Sequence, residues 1–234
     1  MSLPRQLPLR LAFNPRHGFA EYHAGANAEV VDHLRRCASG TGESFIFLHG
    51  DSGSGKTHLL HACCGEAQQH DASVFYLPLA ELADHGAGML EGLERQTLVC
   101  LDDIEAIATR NEWEHGLFDL FNRLRDAGHR LIVSSHLAPA ELPIALPDLL
   151  TRLNWGLTLR LRPLDDDDLL AALALQAQSL GLELPAPVGR FLLNHCRRDP
   201  AHLRRHLEQL DTATLAAKRK LTIPFLKTYL EENP

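Results

Sequence analysis

The chain has 234 residues, 45% of them hydrophobic, and carries a net charge of −7 at neutral pH. That length and apolar content fit one large domain, or a core with a small appendage, and argue against disorder. Residues 1–159 carry 12 basic and 20 acidic side chains and residues 160–234 carry 11 and 10, so no wholesale polyanion-binding face is implied, although the C-terminal part can present a local basic surface.

The five cysteines are odd in number and scattered, which speaks against a disulfide framework and for a reducing compartment. No stretch reaches the roughly 20 apolar residues of a membrane helix, and the start has no apolar signal core. A soluble, cytoplasmic protein with no membrane partner is the expectation.

In chain order, residues 1–13 (MSLPRQLPLRLAF) hold prolines and leucines with no core element before them, and read as an extended arm. Residues 27–37 read as a helix through Val30, Val31, Leu34 and Cys37, stopped by SGTG. Buried strands are predicted at 45–49, 74–77, 98–101, 131–134 and 157–161, with helical stretches between them. Strand then helix, repeated with few tight hairpins, predicts an α/β fold: a five-stranded parallel sheet covered on both faces. Trp113, Leu117, Leu120, Phe121 and Leu124 share one helical face, with Gly128 as the stop. Trp155 reads as a packing residue.

From Pro163 onward the strands vanish. Asp165–Asp168 open a helix whose N-terminal dipole they complement, Gly181 ends it, and further helices follow at about 185–197, 200–217 and 222–231. The expected organisation is an arm (1–13), a nucleotide-binding core (14–162) and a small all-helical lid (163–234).

Gly50-Asp51-Ser52-Gly53-Ser54-Gly55-Lys56-Thr57 satisfies G-x-x-x-x-G-K-[ST] between a strand and a helix. Glycines let successive backbone N–H groups curl around phosphates, and the following helix adds its positive end. Gly50, Ser52, Gly53, Ser54, Gly55, Lys56, Thr57 and the adjoining His58 form the predicted phosphate-binding set. Lys56 serves the β/γ-phosphates and the Thr57 hydroxyl serves Mg²⁺. The cofactor expected is ADP or ATP with Mg²⁺. Four apolar residues followed by Asp102 and Asp103 supply the metal carboxylate (Asp102) and a group to orient an attacking water (Asp103), with Glu105 as its substitute.

These motifs, with Ser134-Ser135 at a strand end and a helical tail after the fifth strand, resemble the AAA+ ATPases. Thr151-Arg152-Leu153-Asn154-Trp155-Gly156-Leu157 is similar to the S-R-F-x-W-G-L segment of the DnaA-like initiator clade, matching at Arg, Trp, Gly and Leu. The expectation is of an initiator-like core and lid without the initiator's N-terminal oligomerisation domain and without a helix-turn-helix after Pro234. A truncated initiator of this kind looks like the Hda family of DnaA-homologous regulators.

That resemblance gives several residues a role. Gln6, Leu7, Leu9 and Leu11 fit the Q-L-x-L-x-L form of peptides that dock into the DNA polymerase III sliding clamp. Arg152 occupies the arginine-finger position and is expected to enter the ATP site of DnaA, making the chain a negative regulator of replication initiation that stimulates hydrolysis of DnaA-bound ATP. DNA is then met mainly through the clamp, and self-association stays open. Gly25 and Asn27 lie where the family's N-terminal segment embraces the adenine; a plain helix cap by Asn27 is the other reading. Ser134 belongs to the cofactor-binding set.

Two departures argue for slow turnover of the chain's own nucleotide. Ser134-Ser135-His136 lacks the usual aspartate at its third position, and Ala201 stands where the sensor arginine is expected, with Arg204 or Arg205 one turn later as substitutes. The alternatives are a self-sufficient AAA+ ATPase, such as a helicase loader or transposition helper, and a nucleotide-gated clamp adaptor.

Overall fold

The computed structural model describes residues 17–196, 200–217 and 221–232. The arm, with Gln6, Leu7, Leu9 and Leu11, lies outside them. Five apolar runs become strands: β1 (Phe45–His49), β2 (Val74–Pro78), β3 (Leu98–Asp102), β4 (Arg130–Ser135) and β5 (Leu157–Arg160). All pair in parallel in the order β2-β3-β4-β1-β5, with Phe45 opposite Leu131 and Ile46 opposite both Ile132 and Leu157. Two strands run slightly past their apolar stretch. Pro78 ends β2, a strand at the sheet edge, where a missing N–H costs least. Asp102 ends β3 and pairs with Pro78, so the metal carboxylate expected from the sequence belongs to the sheet itself.

The helices are α1 (Ala28–Ala38), α2 (Lys56–Gln69), the single turn α3 (Leu79–Leu82), α4 (Asn111–Asp126), α5 (Pro147–Leu153), α6 (Asp166–Ser179), α7 (Ala186–His195), α8 (Pro200–Ala217) and α9 (Ile223–Glu232). Alternation along each strand divides the core in two. Phe47, Val99, Leu101 and Val133 face the layer of α4 and α5, where Trp113, Leu117, Leu120, Phe121 and Leu124 are all buried. Ile46, Leu48, Cys100 and Ile132 face α1 and α2. A third cluster, with Leu169, Leu173, Leu192, Leu207 and Leu226, holds α6 to α9 together.

The acidic run acts as a cap: an Asp165 side-chain oxygen accepts the Asp168 N–H at 2.8 Å. Among the described residues every cysteine is a free thiol, and no helix is long and apolar enough to cross a membrane.

Candidate functional site

β1 delivers the chain to the phosphate loop, and α2 leaves it at Lys56. Gly55 is at φ +98, and a Cβ there would lie 2.8 Å from a ring carbon of Tyr22, so both backbone conformation and close approach require glycine. Lys56 is buried; its ammonium donates to the carbonyls of Gly50 (2.8 Å) and Asp51 (3.0 Å). The Ser54 hydroxyl is also buried, yet it has no hydrogen-bond partner among the described residues. A buried orphan hydroxyl inside a nest of backbone amides fits an oxygen-rich anion.

The loop opens on a cleft of about 340 Å³. Ser52 through His58 form its floor, Tyr22 and His23 one wall, and Ala172 and Gln176 of α6 another, while Asp103 reaches it from the end of β3. The Tyr22 hydroxyl donates to the Ser54 carbonyl at 3.4 Å, and His17 stacks on His58 with ring centroids 4.8 Å apart. His23 meets the Asp168 carboxylate at 2.8 Å, joining the N-terminal segment to the first lid helix. Tyr22 and His23 escaped the sequence analysis, in which only the glycine and asparagine that follow them were singled out.

The two aspartates differ sharply. Asp102 is buried with both carboxylate oxygens engaged: Oδ2 accepts the Tyr76 hydroxyl at 2.8 Å and Oδ1 accepts the Ser134 hydroxyl. Burial and the Asp102 charge hold the Tyr76 phenol far above its ordinary pKa. Asp103 sits in the left-handed region (φ 57), which a short polar side chain tolerates, and its N–H donates to the Ser134 oxygen at 3.1 Å. Burial first, then repulsion from Asp102 and Glu105, raises the Asp103 carboxyl to about 6.

Ser134 thus ties both aspartates to the end of β4 and does not line the cleft. His136, at the departure from the family pattern, binds the Glu105 carboxylate through its ring Nδ1 and through its backbone N–H at 3.2 Å. Burial alone would raise the Glu105 pKa, but hydrogen bonds from its own backbone, Ser135 and His136 outweigh that and bring it below the ordinary value.

Gly25 and Asn27 stand outside the cleft lining. The buried Asn27 amide brackets the backbone of Arg162, donating to its carbonyl at 3.0 Å and accepting its N–H at 2.8 Å, and its side chain caps no helix. Gly25 lies against Asp168. Arg204 is on α8, and its side chain is not described; Arg205 is exposed on that helix and does not line the cleft.

Arg152 lies at the end of α5, immediately before β5. Since Leu157 pairs with Ile46, this corner belongs to the N-terminal ends of the strands, whereas the phosphate loop follows their C-terminal ends. The four strand steps of β1 alone separate the two by roughly 13 Å. Arg152 is half-buried with its guanidinium over the rings of Trp155 (5.1 Å) and Phe118 (6.0 Å). It forms no ion pair among the described residues.

The start of α5 is pinned by Glu114, a buried carboxylate that accepts the N–H groups of Thr109 (2.8 Å), Ala145 (3.1 Å) and Leu146 (2.7 Å). Trp155, expected as a packing residue, has its ring 6.5 Å from that of Phe121 but is 62% exposed. Its neighbour Gly156 is pressed against β1, where a Cβ would lie 2.2 Å from a Phe45 ring carbon, so the indole is left outside.

A parallel sheet of this order, with a phosphate loop after β1, a carboxylate pair after β3 and a helical domain after β5, defines an AAA+ P-loop protein. Residues 13–160 match the family model of the bacterial DnaA ATPase domain, and residues 165–230 match that of the Hda lid domain. The chain therefore belongs to the bacterial DnaA ATPase-domain family and is an Hda-like DnaA homologue.

Among solved structures, it is similar to domain III of the Thermotoga maritima replication initiation protein DnaA, at 23% identity and TM-score 0.81 over 95% of this chain and 100% of that one. AMPPCP-bound DnaA from Aquifex aeolicus is 21% identical, with TM-score 0.72 over 86% of this chain and 67% of that one. A replication initiator DnaA bound to AMPPCP and single-stranded DNA is 22% identical, with TM-score 0.72 over 94% and 70%. At these identities the likeness establishes the fold.

Proposed function

We propose that this chain is a negative regulator of replication initiation: held on a DNA-loaded sliding clamp by Gln6, Leu7, Leu9 and Leu11, it inserts Arg152 into the ATP site of DnaA and accelerates hydrolysis there. The observation that carries this reading is the position of Arg152, without a carboxylate partner among the described residues and at the opposite end of the sheet from the chain's own phosphate loop. A guanidinium so placed serves a phosphoryl group on another subunit, where such a finger is worth about 10³–10⁵ in rate. The Hda lid match supports the regulator over the initiator itself. Tethering both proteins on DNA raises their effective concentration and makes a weak contact between AAA+ domains productive.

The chain's own cleft takes an adenine nucleotide, ADP or ATP, as a conformational switch. The orphan Ser54 hydroxyl and the enclosed Lys56 suit the phosphates, and the AMPPCP held by two DnaA structures of this fold suits the adenine. Thr57 directly and Asp102 through water would hold Mg²⁺, which would supply positive charge against the phosphates. Ser134 and Tyr76 orient Asp102, and Asp103 is the carboxylate that faces the cleft.

The test is phosphate release from DnaA-ATP in the presence of clamp and DNA. Acceleration is expected only when all components are present, and Arg152→Ala is expected to abolish it while leaving clamp capture intact. Gln6→Ala with Leu7→Ala should remove clamp capture. The second reading, a self-sufficient ATPase whose finger serves its own oligomer, is favoured by Lys56, Thr57 and Asp103 sharing one cleft; hydrolysis by the chain alone at a comparable rate would decide for it.

A further inference from the structure

Trp155 is the one large hydrophobic side chain that is exposed among the described residues. Its place outside the core is set by the backbone. The Trp155 N–H closes a turn onto the Arg152 carbonyl at 3.0 Å, and Gly156 then lies against β1 with no room for a side chain. Three residues apart at a helix end, Arg152 and Trp155 fall on the same side.

Two guanidiniums share this ring, and they are held differently. Arg125 lies 5.6 Å from the indole centroid and also donates to Asp126 from Nε (3.1 Å) and Nη2 (2.9 Å), so its charge is answered by a carboxylate. Arg152 lies 5.1 Å from the indole and 6.0 Å from the Phe118 ring, and forms no ion pair among the described residues. An ion pair would fix a guanidinium at the cost of its charge and donors. A ring face restrains it while leaving the charge unneutralised and the N–H groups outward.

We propose that Trp155 is the positioning residue of Arg152: the exposed indole is a shelf that holds the guanidinium extended and unpaired for a phosphoryl group across a subunit boundary. This rests on the reading of Arg152 given above and adds to it the residue that prepares the finger. Arg125, neutralised by Asp126, steadies the same ring from its other cationic contact.

The stacking is tested first without any partner. Trp113 is buried, so collisional quenching of tryptophan emission reports on Trp155. In Arg152→Ala the ratio of iodide to acrylamide quenching is expected to fall about twofold, because a cation that concentrates the anion beside the ring is gone; an unchanged ratio overturns the stacking. The functional half is read with DnaA-ATP, clamp and DNA under single turnover.

Trp155→Ala is expected to lower the maximal hydrolysis rate roughly three- to tenfold with little change in the half-saturating concentration of the regulator. Trp155→Phe is expected to recover part of the loss, and Arg152→Ala with Trp155→Ala to be no slower than Arg152→Ala alone. A raised half-saturating concentration at an unchanged maximal rate, or additive losses in the double variant, overturns the positioning role. If Arg152→Ala alone hydrolyses like wild type while the quenching ratio still responds, the stacking stands, and the finger reading fails together with the role assigned to Trp155.

Discussion

At the C-terminal ends of the strands the charged groups answer one another: Lys56 donates to its own loop, Asp102 accepts two hydroxyls, and Glu105 takes His136. At the N-terminal ends of the same sheet, Arg152 has aromatic rings for neighbours and no carboxylate among the described residues, and the indole beside it is in solvent. At one end Lys56, Asp102 and Glu105 are engaged by hydrogen bonds within the chain while Asp103 faces the cleft; at the other Arg152 is left without an ion pair among the described residues. That contrast is what the proposed action on a second subunit rests on.

The contrast can be broken at either end. The largest effect is expected from Glu114→Ala, which takes the buried acceptor away from three partly buried N–H groups, Thr109 ahead of α4 and Ala145 and Leu146 ahead of α5, and should cost about 3 kcal/mol in urea-induced unfolding; a loss below about 1 kcal/mol would mean that the Arg152 helix is held by other contacts. Next, Lys56→Ala should weaken binding of a fluorescent ADP by roughly 10- to 100-fold through loss of a charge-assisted contact, with clamp capture unaltered. Tyr76→Phe should cost about 1 kcal/mol in the same unfolding measurement by removing one hydroxyl from Asp102, and an unchanged midpoint would detach Tyr76 from the carboxylate.

The smallest effect concerns pH. Asp103 binds its proton more tightly folded, at about 6, than unfolded, near its ordinary value of 3.8. Between those values the native state therefore holds more protons, and stability falls as pH rises from about 4 to 6. Asp103→Asn should flatten that slope, with a gain on the order of 1 kcal/mol at pH 7 once solvent screening is allowed for. A slope identical to wild type would place the carboxylate in freer solvent.

Much of the fold was legible because each buried strand is a short apolar run and the α4 stripe repeats at helical spacing. The phosphate loop and the aspartate pair are local motifs, and they appeared where a strand ends. What sequence could not show are side-chain contacts between neighbouring strands and across the whole chain. Tyr76 reaches Asp102 because β2 lies beside β3, and Asn27 reads as an adenine contact or a helix cap, whereas its amide serves Arg162, 135 residues away. Trp155 reads as a packing residue; the press of Gly156 on Phe45 is what leaves the indole exposed. In the lid, Arg205 stays exposed, so the cleft receives no cation from it.

The most direct measurement loads DnaA with ATP labelled at the terminal phosphate, removes free nucleotide, and follows label release after adding the regulator on clamp-loaded DNA. With wild type, release should accelerate by at least about 10³-fold over Arg152→Ala at equal clamp occupancy. Equal acceleration by both proteins would contradict an arginine working across the subunit boundary.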